Sequence, residues 1–178
     1  MNRSLGRREI YMKLLIVVDM QNDFIDGSLG TAEAVKIVPA VVEKLKSFDG
    51  EVIFTQDTHA ENYSDTQEGR KLPVRHCIEN TEGWEIREEL RPYITTKWKK
   101  RSFGSIALAQ MISEMRDVES IELLGLCTDI CVVSNALIIK AANPETPLIV
   151  DSSCCAGVTP EKHEAALEVL RSCQVEVI

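Results

Sequence analysis

Cys131 is the residue whose type and position could supply a nucleophile. Residues 125–131 (GLCTDIC) lead from a predicted strand directly into a predicted helix, which puts this thiol in the first helical turn. Free N–H groups and the helix dipole stabilise a thiolate there, so we expect a lowered thiol pKa. The backbone N–H groups of Cys127 and Cys131 could also hold an oxyanion formed by attack on a carbonyl carbon. Taken alone, a buried structural cysteine is the simpler interpretation, because free cysteines are usually buried.

A thiol nucleophile also needs a base, and the chain has three histidines to offer as imidazoles. Two of them, His59 and His76, fit a metal site better. The carboxylate of Asp19, which follows a predicted strand, could replace an imidazole if burial raises its pKa. A nearby Lys100 would hold this carboxylate and the thiolate together. Separately, Asp19 is better explained as a helix or turn cap, and Lys100 as one more charge in the solvated run KWKKR.

A metal site is indicated by Asp57 and His59, which are separated by one residue at the end of a predicted strand. In extended backbone their side chains project to the same side. His76 could complete a set of three, and a carboxylate with two imidazoles suits Zn²⁺ or Fe²⁺ at a catalytic site. The alternative is an Asp-His hydrogen bond on a surface loop, with an unrelated second histidine.

Alternating strands and helices must position these residues. The apolar run at residues 13–18 is typical of a central parallel strand buried on both faces. The other predicted strands are at residues 51–55, 93–98, 121–126, 148–151 and 175–178, and the predicted helices are at residues 35–48, 105–115, 129–142 and 160–173. This alternation predicts an α/β fold, a three-layer α/β/α arrangement with a mostly parallel sheet of about six strands. Ligands bind beyond the carboxyl ends of such strands, so the candidate residues should converge at one edge.

The composition is that of one globular domain, with 178 residues, 44% hydrophobic and 27% charged. We assign this domain to residues 13–178 and treat residues 1–12 as an N-terminal extension, which could be disordered. A net charge of −8 argues against nucleic acid or a membrane as partner, because both require a concentrated basic surface. A small molecule fits better. Six cysteines without a secretory signal indicate reduced thiols in a cytoplasmic protein.

Six segments follow one another along the chain, and they span nearly all of it from residue 13. They are VDMQNDF at residues 18–24, DTH at 57–59, HC at 76–77, KRSFGS at 100–105, GLCTDIC at 125–131 and VDSSCCAG at 150–157. In this order they resemble the isochorismatase-like cysteine hydrolases, and the nicotinamidases most of all. DMQNDF and TDxC are specific motifs, whereas the lysine motif alone would be weak.

The resemblance implies a catalytic triad. Asp19 would act as general base and later as general acid, Lys100 as the cation, and Cys131 as the nucleophile that forms a thioester and releases ammonia. It also implies a cis peptide bond between Leu126 and Cys127, next to the oxyanion hole.

A divalent metal is implied as the cofactor, with Zn²⁺ ahead of Fe²⁺ or Mn²⁺, held by Asp57 and the two histidines. In that family a fourth ligand sometimes comes from the intervening loop. Glu68 best matches this position, and Glu61 and Ser64 are alternatives. A solvated loop carboxylate is the ordinary explanation for either glutamate.

Nicotinamide, hydrolysed to nicotinate and ammonia, is the leading substrate that the resemblance implies. Phe24 and Trp98 are the candidates for stacking on its ring. Many nicotinamidases have an aromatic residue three positions before the second histidine, and this chain has Pro73 there. This chain therefore departs from the resemblance at a position whose side chain stacks on the pyridine ring.

Other functions stay open. One is another amidase of the superfamily, acting on an N-carbamoyl or ureido amide. A second is a non-catalytic binding protein that keeps the fold, and a third is a thiol-redox protein using Cys127 and Cys131. A homo-oligomer is expected because relatives commonly form one. His163 is most simply a surface or inter-subunit residue, and no chemistry is assigned to it.

Overall fold

The computed structural model describes residues 11–178. The expected N-terminal extension at residues 1–12 lies outside the described residues except for Tyr11 and Met12, and Met12 already opens the first strand. Within residues 11–178 no helix is both long and apolar enough to cross a lipid bilayer. All six cysteines are free, so the prediction of unpaired thiols is confirmed.

Six parallel strands form one sheet. They are β1 (Met12–Val18), β2 (Glu51–Asp57), β3 (Thr96–Lys100), β4 (Val118–Leu126), β5 (Leu148–Ala156) and β6 (Glu176–Val177). Their order across the sheet is β3-β2-β1-β4-β5-β6. Residues 14–18 of β1 are completely buried, as expected for a central strand that is covered on both faces. The predicted sheet of about six parallel strands is confirmed.

Helices cover the two faces of this sheet. They are α1 (Asn22–Ile25), α2 (Ala32–Ser47), α3 (Gln67–Lys71), α4 (Ile106–Glu114), α5 (Val133–Ala142) and α6 (Pro160–Ser172). The chain moves one way across the sheet through α2 and the other way through α4, α5 and α6. Because crossovers between parallel strands are right-handed, these two groups lie on opposite faces. The predicted three-layer arrangement is therefore confirmed.

Several elements differ from their predicted bounds by a few residues, and three of these differences have clear structural causes. β3 begins at Thr96 and not at residue 93, because Glu88–Tyr93 forms a 3₁₀ helix. β5 continues to Ala156 because its second half pairs with Gly125 and the end of β4. Thr128–Val132 form a π-helical turn ahead of α5, where a regular α-helix was expected.

The carboxyl ends of the central strands meet at one edge. Asp57 at the end of β2 lies opposite Lys100 at the end of β3, and Val18 of β1 lies opposite Gly125 of β4. Gly125 has a φ of 117°, and a Cβ atom there would lie 2.2 Å from the Val18 carbonyl oxygen. Only glycine allows β4 to approach β1 this closely. The turn that follows β4 is thus brought beside the end of β1.

Candidate active site

Asp19, Lys100 and Cys131 meet at this edge. Asp19 follows β1, Lys100 ends β3, and Cys131 lies in the π-helical turn after β4. The Nζ atom of Lys100 is 2.6 Å from Asp19 Oδ2 and 3.5 Å from Cys131 Sγ. Their exposed fractions are 0%, 3% and 4% respectively. The structure therefore brings the predicted carboxylate, cation and thiol together in a buried cluster.

Thr55 of β2 orients the Asp19 carboxylate. Its hydroxyl donates to Asp19 Oδ1 at 2.7 Å and accepts the backbone N–H of Asp19 at 3.1 Å. Asp19 has a φ of 47°, a region that a residue with a Cβ adopts only when its surroundings hold it there. Sequence reasoning missed Thr55, and the available signal was a hydroxyl inside the buried run IFTQ.

The protonation of this cluster follows from its burial. Burial raises the pKa of the Asp19 carboxyl, and the nearby charge of Asp57 adds to this although Lys100 opposes it. Burial and then the Asp19 charge also raise the pKa of the Cys131 thiol. The lowered thiol pKa predicted from the helix position is therefore wrong, because burial outweighs the N–H groups of the turn. A thiol with a raised pKa therefore lies beside a carboxyl group whose pKa is also raised.

Asp57, His59 and His76 form a second cluster beside the first. One ligand atom from each lies within 4.8 Å of the others. Asp57 Oδ2 is 3.1 Å from His59 Nε2 and 3.9 Å from His76 Nε2. All three side chains are buried. A carboxylate with two imidazoles suits Zn²⁺ or Fe²⁺ and leaves coordination positions for other ligands, so the donor set fits a divalent metal.

Glu68 on α3 borders this second cluster. Its Oε1 atom is 3.7 Å from His59 Nε2 and 3.6 Å from His76 Nε2. Of the alternatives considered from the sequence, Glu61 forms a surface ion pair and Ser64 is exposed. The structure thus puts Glu68, and neither alternative, against the two imidazoles.

The backbone and a neighbouring ring fix the orientation of His76. Its Nδ1 atom is 2.9 Å from the Val74 carbonyl oxygen. A carbonyl only accepts, so Nδ1 carries the hydrogen, and in the neutral imidazole Nε2 then keeps a free lone pair. The ring of Tyr63 packs edge-on against His59 and His76, with centroids 4.7 Å and 5.0 Å away. The imidazole nitrogen that faces Asp57 is therefore the one able to bind a metal.

Lys100 joins the two clusters. Its Nζ atom is 3.3 Å from Asp57 Oδ1 in addition to its contacts with Asp19 and Cys131. Burial opposes ionisation of Asp57, but the hydrogen bond with His59 and the charge of Lys100 lower its pKa. Asp57 is therefore ionised. The sequence did not reveal this contact, which depends on the pairing of β2 with β3.

Two polar residues after Asp19 hold the second cluster against the segment that follows β1. The Gln21 carboxamide donates to the Asp57 carbonyl oxygen at 2.9 Å and accepts the Asp57 N–H at 2.7 Å. Asp23 Oδ2 accepts the backbone N–H of Cys77 at 2.7 Å, directly after His76. The motif DMQNDF therefore supplies Asp19 and also holds the backbone beside two candidate metal ligands.

Asn135 on α5 links the turn that carries Cys131 to the segment after β3. Its Nδ2 group donates to the carbonyl oxygens of Cys131 at 2.7 Å and Phe103 at 3.0 Å. Its Oδ1 atom accepts the backbone N–H of Ser105 at 3.0 Å. The side chain is completely buried. Sequence reasoning missed it, although a buried amide on an apolar helix is a signal of such a bridge.

A cavity of about 290 Å³ opens onto both clusters. Its lining includes Cys127, Cys131 and His76, and its apolar wall is formed by Phe24, Leu29, Leu72, Phe103, Ile130 and Val158. The ring of Phe24 is centred 5.5 Å from that of His76. The peptide bond between Leu126 and Cys127 is cis, as the resemblance implied. Phe24 therefore lines the cavity beside His76.

Trp98 does not share this position. Its indole N–H donates to Ser105 Oγ at 3.1 Å, and the residue is not among those that line the cavity. The expectation that Trp98 stacks on the substrate is therefore corrected. The side chain belongs to the packing between β3 and the start of α4.

The comparisons with known proteins agree on one family. A sequence profile described as "Isochorismatase domain" matches residues 13–178. The uncharacterized isochorismatase family protein PncA of Bacillus subtilis is 31% identical, over 87% of this chain and 92% of its own. The nicotinamidase/pyrazinamidase of Mycobacterium tuberculosis is 27% identical, over 94% and 98% of the two chains. The crystal structure of the pyrazinamidase of Pyrococcus horikoshii in complex with zinc is 29% identical and superposes with a TM-score of 0.78, covering 94% of this chain and 98% of that one. This chain belongs to the isochorismatase family.

Proposed function

We propose that this protein hydrolyses nicotinamide to nicotinate and ammonia. The observation that carries the proposal is the Lys100 ammonium, 2.6 Å from the Asp19 carboxylate and 3.5 Å from the Cys131 sulfur. A proton acceptor, a fixed cation and a thiol are the groups that acyl transfer through a thioester requires. The relatives named nicotinamidase and pyrazinamidase support nicotinamide as the amide.

The first step is transfer of the thiol proton of Cys131 to Asp19. The pKa of the Asp19 carboxyl is raised by burial, which makes it a stronger acceptor than an exposed aspartate. The transfer leaves the net charge of the buried cluster unchanged. Lys100 stabilises the new thiolate as it stabilised the carboxylate.

The thiolate then attacks the amide carbon, and a C–S bond forms. The carbonyl oxygen becomes an anion, held by the backbone N–H groups of Cys127 and Cys131. Asp19 returns its proton to the amide nitrogen, the C–N bond breaks and ammonia leaves. The acyl group remains on Cys131 as a thioester.

Water completes the cycle. Asp19, again ionised, accepts a proton from a water molecule, whose oxygen attacks the thioester carbon. The C–S bond breaks, the acid is released, and the proton held by Asp19 returns to the sulfur of Cys131. Each group is restored, so the same carboxylate serves as base and acid in both halves of the reaction.

A divalent metal would be held by Asp57, His59 and His76, with Glu68 as a further ligand, and we propose zinc. When bound, this ion supplies a ligand position for the pyridine nitrogen, which orients the amide towards the sulfur. Phe24 would stack on the ring, since it lines the cavity next to His76, with the two ring centroids 5.5 Å apart.

Ammonia release from nicotinamide tests the proposal, with benzamide and an N-carbamoyl amide as competing substrates. Nicotinamide should be preferred, because the ring nitrogen that benzamide lacks is a metal ligand. Cys131→Ala should abolish release, and a nicotinoyl adduct on Cys131 should appear in mass spectra of quenched reactions. Cys173→Ala is the matched control, because that thiol is exposed at the end of α6. Wild-type turnover by Cys131→Ala would refute the assigned nucleophile, and preference for the N-carbamoyl amide would favour the alternative amidase.

A further inference from the structure

His163, to which the sequence assigned no chemistry, contacts the turn that carries the nucleophile. Its Nδ1 atom lies 2.8 Å from Thr128 Oγ1. Thr128 is completely buried and opens the π-helical turn that contains Cys131. We propose that His163 is a positioning residue, which holds this turn so that the N–H groups of Cys127 and Cys131 meet the oxyanion. The inference rests on the proposed amide hydrolysis.

The neighbouring residue of the same turn is anchored in the same direction. Asp129 Oδ1 accepts the backbone N–H of Val158, just before α6, at 2.9 Å. The segments pack closely here, since a Cβ atom on Gly157 would lie 2.8 Å from the backbone nitrogen of His163 and 3.0 Å from Asp129 Oδ1. Two consecutive side chains of the TDIC motif therefore attach the turn to the start of α6.

The turn is also held from within. The Cys127 carbonyl oxygen accepts the N–H groups of Ile130 at 3.0 Å and Val132 at 3.1 Å. Thr128 lies between the two residues whose N–H groups are the proposed oxyanion donors. A shift of Thr128 would therefore displace these donors together. A misplacement of about 1 Å at a reacting centre can lower the rate roughly 100-fold.

The chemistry of this hydrogen bond suits a fixed anchor. A hydroxyl both donates and accepts, so Thr128 pairs with Nδ1 of His163 whether or not that nitrogen carries hydrogen. The imidazole also borders a second cavity of about 220 Å³, which Cys155 and Pro160 help to line. A substituted side chain at position 163 therefore has space, and the hydrogen bond can be removed without overpacking the core.

The test removes the hydrogen bond between Thr128 and His163 by replacing each partner in turn. His163→Leu and Thr128→Val should lower kcat roughly 10- to 100-fold while KM stays within about twofold, because the loss affects the transition state alone. His163→Asn and Thr128→Ser should recover most of kcat, since the Asn amide occupies the place of Nδ1 and Ser keeps the hydroxyl. The double variant should be no slower than the worse single variant. Unchanged kcat in both Thr128→Val and His163→Leu would overturn the proposal, as would additive losses.

A second measurement separates positioning from general damage. Iodoacetamide reacts with a thiol at a saturated carbon and needs no oxyanion donors, so alkylation of Cys131 in His163→Leu should be no slower than in wild type. A parallel fall in alkylation would show that the triad itself is disturbed and would overturn the inference. Mass spectrometry of the peptide that carries Cys131 gives this rate separately from the other thiols.

Failure of the two proposals can be told apart. A wild-type protein that releases no ammonia from any of the amides contradicts the proposed function. Amide hydrogen exchange in residues 126–133 reports on the anchor without any substrate, and it should be faster in His163→Leu and Thr128→Val than in wild type. Unchanged exchange in both variants counts against the anchor even if the enzyme is active.

Discussion

Lys100 and Asp57 face each other at the ends of neighbouring strands, with Lys100 Nζ 3.3 Å from Asp57 Oδ1. The same ammonium pairs with Asp19 at 2.6 Å. One buried cation therefore reduces the repulsion between two buried carboxylates that belong to different clusters. The proposed proton-transfer site and the proposed metal site are consequently a single electrostatic unit.

Replacement of Lys100 by Met should therefore strongly lower both the activity and the stability of the protein. The variant keeps the length of the side chain but leaves Asp19 and Asp57 without their shared cation. We expect kcat/KM to fall at least about 1000-fold and the free energy of unfolding to fall by roughly 3–5 kcal/mol. Kinetics and urea unfolding measure the two effects. Lys99→Met is the control, because Lys99 is exposed and pairs with Glu79, and near-normal turnover by Lys100→Met would contradict the proposed role.

Thr55→Val should change the pH dependence of the reaction. The hydrogen bond from Thr55 lowers the pKa of Asp19, against the effect of burial, so its loss should raise that pKa further. Asp19 accepts a proton only when ionised, and activity is therefore lost as the pH falls through its pKa. The acid limb of kcat/KM should move to higher pH in Thr55→Val. Thr95→Val, which alters an exposed hydroxyl, should leave the limb in place, and a shift towards lower pH in Thr55→Val would be inconsistent with the geometry.

Zn²⁺ affinity should fall most when a buried imidazole of the second cluster is removed and less when Glu68 at its border is changed. His76→Ala should abolish tight binding of Zn²⁺, whereas Glu68→Gln should weaken it roughly tenfold. Glu61→Gln, a change in a surface ion pair, should have no effect. Calorimetric titration of the metal-free protein with Zn²⁺ measures these affinities, and chelation should remove activity that added Zn²⁺ restores. Weaker binding in Glu61→Gln with normal binding in Glu68→Gln would reverse the assignment of the fourth ligand.

Lys44 should stabilise the fold independently of the site. Its Nζ atom on α2 lies 2.6 Å from Glu122 Oε1 and 2.7 Å from Asp151 Oδ2. Lys44→Met should lower the free energy of unfolding by roughly 1–3 kcal/mol. Lys46→Met should change it by less than about 0.5 kcal/mol, since its pair with Glu43 is exposed. Equal effects of the two variants in urea unfolding would argue against a special role for Lys44.

The raised pKa of Lys44 should also make the stability of the protein depend on pH. Burial opposes its charge, but hydrogen bonds to Asp151 and Glu122 raise the pKa of Lys44 from 10.5 to about 12. A folded-state pKa above the unfolded value means that the contribution is complete below pH 10.5 and is lost as the pH rises through 12. The difference between wild type and Lys44→Met should therefore narrow towards the alkaline end of that range.

The meeting of Asp19, Asp57 and Lys100 could be predicted from the sequence because each of them ends or follows a strand. Carboxyl ends of parallel strands share one edge of the sheet, so position along a strand was sufficient. The partners Thr55, Gln21 and Asn135 could not be predicted in this way. Their contacts depend on which strands are neighbours and in which register, and alternation of strands and helices does not determine either.

Two predictions from the sequence, on Trp98 and on the Cys131 thiol, were wrong for physical reasons. Trp98 lies two residues before Lys100 on β3, so it sits roughly 7 Å back from the edge where ligands bind. The thiol pKa of Cys131 was predicted from the helix position alone, and burial beside Asp19 reverses its direction. Distance from the edge and depth in the protein are both properties of the folded chain.

The double hydrogen bond between Gln21 and Asp57 has an evolutionary consequence. An insertion or deletion between positions 19 and 24 would therefore displace Asp19, the proposed proton acceptor, and Asp57, the proposed metal ligand, in the same event. A change that moves the backbone at one cluster would consequently move the other cluster as well. An engineered variant designed for the thiol chemistry without the ion would still need Gln21, because this side chain holds the end of β2 beside Asp19.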